Sequence, residues 1–326
     1  MRQLAALFAA GLVLLSAAGA SAADSRGPRF SAAQTSCTIE DGRLGSISGA
    51  VAVDEGFLVT LDRGAAIVNV SRDCAFASTR RLAGADAFDV EDLAVGPDGT
   101  VWLADIGGNR TPRRNIALFG LTADDTVVTA RFAYPGGTHD AEAAVVTMDS
   151  VLVVFTKERG TSQVYRARLP GAETTDPVPL RKVGEVDLAA IGGRPGTEGS
   201  LLVTGAALSP DGRHVTLRTY TDAYEWEIVD GDVARTVVST EPVPVGRLRQ
   251  QQGEAVSYTP DGSRLVAFSE QLPSPVLEVE ITRPLVRPAS TRQQLPTRAY
   301  VVIAVPAALL LLGGARTLYL RRRAPR

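Results

Sequence analysis

Three glutamates, Glu91, Glu142 and Glu254, each open a short apolar run. Five further charged residues, Asp62, Asp105, Lys157, Arg218 and Glu270, each close one. Carboxylates are hard oxygen donors. Brought together from separate segments, Glu91, Glu142, Glu254, Asp62, Asp105 and Glu270 could supply the six or more oxygens that Ca2+ takes. Lys157 and Arg218, or a metal, could hold an anionic ester while Glu91 or Asp105 activates water. The same residues also have a purely structural use, because opposite charges set side by side satisfy one another at crowded strand ends. No nucleophile elbow, zinc motif or phosphate loop occurs in the chain.

All three readings require residues spread from Asp62 to Glu270 to converge, so the positioning elements must repeat. They do. Asp89–Asp105, Thr204–Arg218 and Gln252–Glu270 share one shape: a short apolar strand, a Pro-Asp-Gly turn, and a second strand ending in charge. The turns are Pro97-Asp98-Gly99, Pro210-Asp211-Gly212 and Pro260-Asp261-Gly262. Units of this kind at a 40–50-residue period are the mark of a β-propeller. They open at Ser48, Glu91, Glu142, Thr204 and Glu254, which gives five four-stranded blades. Residues 186–203 are weakly patterned and leave room for a sixth. In the fourth unit the outer strand is expected at Ala234–Val238.

The fifth unit lacks an outer strand. Ser36–Ile39 could supply it and close the ring, which removes the exposed sheet edges. Cys37 would then lie on the closing strand, and a disulfide to Cys74 would tie it to the first blade. In a propeller, inner strands start and second strands end on one face. The charged residues would therefore ring one rim of the central channel.

The termini set the compartment. Residues 1–22 read as a signal peptide: Arg2, an apolar core, then Ala20-Ser21-Ala22. The propeller follows over 23–281, and 282–298 form a stalk containing Pro284, Pro288 and Pro296. An apolar run at 299–320 reads as one transmembrane helix, and Arg321, Arg322 and Arg323 lead a basic cytoplasmic tail over 321–326. The expected location is the cell membrane, with the propeller outside. An oxidising compartment suits the Cys37–Cys74 disulfide, worth roughly 3–4 kcal/mol by loop closure.

All 36 acids fall between Asp24 and Arg298, while Arg2, Arg316, Arg321, Arg322, Arg323 and Arg326 fall outside. The exported body is therefore acidic, which excludes a nucleic-acid footprint. An envelope protein, a glycan or a small anionic ligand remains as partner. Asp105 is followed by Gly107 and Gly108, which permit positive φ or close backbone approach and would set Asn109 and Arg110 at the channel mouth. His139 precedes Asp140 and Glu142 and could join the ring or sit in a loop.

These residues resemble those of exported actinobacterial propeller proteins of the WD40-like and esterase-like phytase type. The resemblance rests on Ile47–Gly49, Asp89–Ala94, Ala104–Arg110, His139–Glu142, Phe155–Lys157, Arg218–Asp222 and Gly253–Ala255, and covers roughly residues 37–282. It implies the propeller fold and, for most members, no assigned reaction. This chain has Asp62-Arg63-Gly64 where relatives often carry Asp-Ser-Gly. It has Gly107-Gly108-Asn109-Arg110 where many carry Gly-Asp-Asn-Arg, one acid fewer at the rim. The leading expectation is a membrane-anchored binding or scaffolding module. The alternative is a Ca2+-dependent hydrolase of phosphate or other esters.

Overall fold

Segments such as Val101–Asp105 and Val151–Thr156 are too short for helices and rich in β-branched and aromatic residues, and tight turns bound them. In the Pro-Asp-Gly turns the glycines Gly99, Gly212 and Gly262 have φ of +81°, +67° and +67°, a conformation that side chains resist. The turns therefore fix where each strand pair reverses. A computed structural model describes residues 27–108, 113–171 and 176–283. The expected leader, anchor and tail, most of the stalk, and Asn109 and Arg110 lie outside the described residues. Among the described residues no helix is long and apolar enough to cross a membrane.

The strands form five blades, each with its first strand innermost and its main strands antiparallel; a short strand at Val178–Pro179 adds in parallel to the outer strand of blade two. The inner strands are Ile47–Val53, Val90–Val95, Ala141–Val146, Val203–Leu208 and Gly253–Tyr258. Residues 188–202 form turns and a short 3-10 helix, so no sixth blade is present among the described residues. Gln34–Ile39 pairs with Ser274–Thr282 as the missing outer strand of blade five, so the two ends of the domain close the ring together. Cys37 on that strand is bonded to Cys74 in blade one, with Cα atoms 5.9 Å apart. The blade-four outer strand differs from expectation. Val233–Ser239 is a helix, capped by the Asp232 carboxylate accepting from the Arg235 N–H, and the strand follows at Val243–Arg247. Helical spacing turns Val233, Ala234 and Val237 together into the core between blades three and four.

The core is divided into five apolar clusters, each filling the wedge between neighbouring blades. Trp102, Leu118 and Phe132 meet Leu152 and Tyr165 between blades two and three. Phe57 meets Phe268 edge-on between blades one and five, with ring centroids 5.1 Å apart. Every blade is thus buried on both faces, which explains why its strands read as nearly continuous apolar runs.

The centre is held by one carboxyl group. Asp92 lies on the inner strand of blade two and is fully buried. Its Oδ1 accepts from the Leu93 N–H at 2.8 Å, and its Oδ2 accepts from Ala144 N–H at 3.0 Å and Ala206 N–H at 3.2 Å. Those donors belong to blades two, three and four. Burial pushes the Asp92 carboxyl well above the usual carboxylate range, and the three N–H donors only partly offset this.

Asp92→Ala should cost about 3 kcal/mol or more in urea unfolding at pH 7, because it leaves three buried N–H groups without an acceptor. Asp92→Asn keeps one acceptor oxygen and should recover part of that loss. An alanine variant as stable as the parent would show that the three bonds do not hold the blades.

Candidate functional site: the charged rim

The rim is built by a repeated irregularity. In every blade the pairing of first and second strands slips by one residue near the inner-strand start, between Ile47 and Gly49, Val90 and Asp92, Ala141 and Ala143, Val203 and Gly205, and Gly253 and Val256. The inserted residues are Ser48, Glu91, Glu142 and Thr204, with Glu254 in the corresponding place. A β-bulge leaves its extra residue outside the ladder and re-aims its side chain. Five bulges at one level place five side chains round one end of the channel. The three glutamates occupy three of these positions; the hydroxyls of Ser48 and Thr204 occupy the other two.

The strand-end residues arrive at the same level. Glu91 and Glu142 are buried. The Lys157 ammonium pairs with the Glu142 carboxylate and stands 4.9 Å from the Tyr220 ring centre. Burial lowers the Lys157 pKa, yet Glu142 and then Glu254 outweigh burial and hold the ammonium charged. Glu254 is pushed well above its ordinary range by burial and then by Glu142, against the pull of Lys157 and Arg218. Its Oε2 is buried and has no hydrogen-bond partner among the described residues.

Glu91 is the most clearly shifted carboxyl on the rim. Burial raises its pKa, as do the charges of Glu142, Asp89 and Asp62, and the net value is about 9. The Ser48 hydroxyl donates to Glu91 Oε2 at 2.9 Å, which lowers it only in part. Gly107 explains how the carboxyls come so close: a Cβ there would overlap the carboxyl oxygens of both Glu91 and Asp89. Neither Gly107 nor Gly108 has positive φ, so close approach is the one of the two expected roles that Gly107 fills.

Arg218 is fully buried. Its guanidinium donates to the carbonyls of Thr219, Ala255 and Phe268 at 2.9–3.1 Å and to Gln250 Oε1 at 3.2 Å, spanning blades four and five. Burial lowers its pKa to about 10, which leaves it a cation. Asp105 is paired with Arg113, whose Nη1 lies 3.0 and 2.9 Å from the two carboxylate oxygens. Asp105 Oδ1 also accepts from the N–H groups of Phe88 and Asp89 at 3.1 and 2.7 Å. Glu270 acts on Glu254 and Asp62 on Glu91 through their charge, both half-buried at strand ends. His139 does not join the ring. Its Nδ1 meets Glu158 at 2.9 Å and its Nε2 the Tyr165 hydroxyl at 3.0 Å.

The structure therefore gathers Glu91, Glu142, Glu254, Lys157 and Arg218 into one electrostatic system and gives Asp105 a separate partner. Among the described residues no three histidine, cysteine or carboxylate side chains form a group that could hold a metal ion. Lys157 already supplies the cation between Glu142 and Glu254. Sequence reasoning missed Ser48, Thr204, Asp89, Asp92, Arg113 and Tyr220. A search for a polar residue between two small or apolar ones at each blade start would have found Ser48 and Thr204.

No protein-family model matches the chain, and no curated protein matches it in sequence. Solved structures similar in fold include the gluconolactonase XC5397 of Xanthomonas campestris, at 14% identity and a TM-score of 0.43, covering 79% of this chain and 96% of that one. Glutaminyl cyclase of Myxococcus xanthus aligns at 14% identity and a TM-score of 0.46, covering 77% of this chain and 97% of that one. A chain of a nidogen/laminin complex aligns at 14% identity and a TM-score of 0.43, covering 74% and 86%.

The rim has a calculable pH dependence. Unfolded, Glu91 releases its proton near the ordinary value of about 4.3; folded, it holds the proton until about pH 9. Across that window the folded state binds the extra proton, so the contribution of Glu91 to stability falls as pH rises. Glu91→Gln should flatten the pH profile of the melting temperature between pH 5 and 9, and the variant should melt above the parent at pH 8. Parallel profiles would show that Glu91 is ionised in the fold.

Proposed function

We propose that this chain is a non-catalytic binding module, a propeller anchored at the outer face of the cell membrane that recognises a neutral, hydroxyl-bearing ligand such as a glycan chain. The observation that supports this is the state of the rim cations. Hydrolysis of an anionic ester would need Lys157 or Arg218 to meet the substrate. Lys157 is committed to Glu142, and Arg218 is sealed from solvent among backbone carbonyls. Glu91, with its pKa near 9, is a neutral acid at pH 7 and a poor base for activating water.

Beside the rim, between blades four and five, lies an open depression of about 430 Å3 lined by Tyr220, Thr221, Gln251, Gln252 and Gln271. Amide side chains both donate and accept, which matches hydroxyl groups, and Tyr220 offers an aromatic ring. The exported actinobacterial propellers that the chain resembles have, for the most part, no assigned reaction.

The test pairs turnover with binding on the full chain. A panel of carboxylic and phosphate esters should show no hydrolysis above background with or without added Ca2+, and a glycan array should show retention that Gln252→Ala and Tyr220→Ala weaken about tenfold. Hydrolysis that Glu91→Gln abolishes would overturn this reading in favour of a hydrolase.

A further inference from the structure

The channel end opposite the rim has a different chemistry. Its lining begins one residue past Asp92 and runs to the Pro-Asp-Gly turns, enclosing a cavity of about 430 Å3. That size falls within the range of small-molecule sites, roughly 300–1,000 Å3. The lining position four residues past the bulge is Ala52, Val95, Val146, Leu208 or Tyr258 according to blade. Val95 is 41% exposed, and Met148 at the mouth is 56% exposed. Asp92 is buried at the inner end, so the cavity is separated from the rim.

Asp54 of the lining is exposed, and the side chains of Ser257, Tyr258 and Ser209 are already engaged. The Ser257 hydroxyl accepts from Ala52 N–H at 2.9 Å and donates to the Tyr258 carbonyl at 3.1 Å. Tyr258 donates its hydroxyl to Glu225 at 2.6 Å, and Ser209 donates to Asp211 at 2.5 Å. A polar ligand would surrender its water here for few partners, whereas an aliphatic one gains by leaving water.

The path of the chain says where such a ligand could come from. Arg29 pairs with Thr282 beside the Pro-Asp-Gly end of blade five, so both ends of the described propeller lie on the face that holds the cavity mouth. Arg283 is fixed there by two bonds to Glu225, at 2.9 and 2.8 Å, the carboxylate that also holds Tyr258 of the cavity wall. Only residues 284–298 then separate Arg283 from the apolar run that opens at Ala299. Fully extended, they reach at most about 50 Å.

We propose that this cavity takes an acyl chain of a bilayer lipid. The proposal rests on the reading of the apolar run as a membrane anchor, and one experiment separates the two. The full chain is reconstituted in phosphatidylcholine vesicles in which a small fraction of the lipid carries a photoactivatable diazirine near the end of one acyl chain. After illumination, labelled peptides are mapped by mass spectrometry. Label is expected on residues 299–315, as the anchor requires, and also at Val95, Met148 and Leu208. Val95→Asp and Met148→Asp, both at the exposed mouth, should each lower the cavity label at least fivefold, leave the label on 299–315 unchanged, and preserve the circular dichroism spectrum. Label on 299–315 alone, or cavity label indifferent to both substitutions, overturns the acyl-chain site and leaves the anchor standing. Label at neither place overturns both. A diazirine-bearing free fatty acid forms the second arm; cavity label from it but not from the phospholipid also overturns the bilayer source.

Discussion

The carboxyl group of Asp92 is the constraint round which the rest of the propeller is arranged. A ring of blades has a hole at its centre, and each inner strand leaves N–H groups facing that hole. Water could satisfy them in an open channel, but at the level of Asp92 a Cβ on Gly49 or Gly205 would already overlap the backbone of the neighbouring blade. Asp92 satisfies three, from three different blades, with its two oxygens. The corresponding positions elsewhere are Gly49, Ala143, Gly205 and Ala255, all small. One acid among four small residues fills the axis. Two carboxyls there would repel each other without a cation to separate them, and none would leave donors unpaired.

Because the axis is filled at that level, the channel becomes two separate ends. On the rim side the five bulges deliver Ser48, Glu91, Glu142, Thr204 and Glu254. Three acids in a small, poorly hydrated space cannot all be ionised. The structure answers by different means at each: Glu142 receives Lys157, Glu91 is held protonated, and Glu254 is balanced between Lys157 and Arg218 on one side and Glu142 on the other. Arg218 remains a cation in complete burial: the Glu254 charge opposes the effect of burial, and backbone carbonyls and Gln250 take up its donors. A rim solved in this way is internally neutralised.

Much of this was legible in the residues. The Pro-Asp-Gly repeats gave the blade boundaries, because turn chemistry is local and glycine at positive φ is hard to replace. The closing strand followed from counting strands, since a blade with an open edge asks for a partner, and the Cys37–Cys74 bond from the two cysteines of the chain lying in its expected exported part. What sequence could not show was set by contacts between blades. Asp92 sits in the same apolar run as Glu91, one residue on, and nothing local distinguishes an acid bonded to three distant N–H groups from one on a rim. The helix at Val233–Ser239 lay in a run of β-branched residues, and packing against blade three outweighed their strand preference. Nothing in the sequence round Arg113 sets it apart from any loop arginine; its pairing with Asp105 is made by the fold.

The two ends of the axis differ for a reason that reaches back to the inner-strand sequences. Each strand has its bulged residue in second place and continues mostly through small and branched apolar residues to its turn, so polarity changes along the strand at the level of Asp92. The change occurs in all five blades at the same height, because the bulge fixes the register of each. A shift of one residue in any blade would carry an apolar side chain to the rim and a polar one below it. Bulge, buried acid and apolar lining are therefore one device. The bulge sets the height, Asp92 closes the axis there, and the chemistry on either side differs.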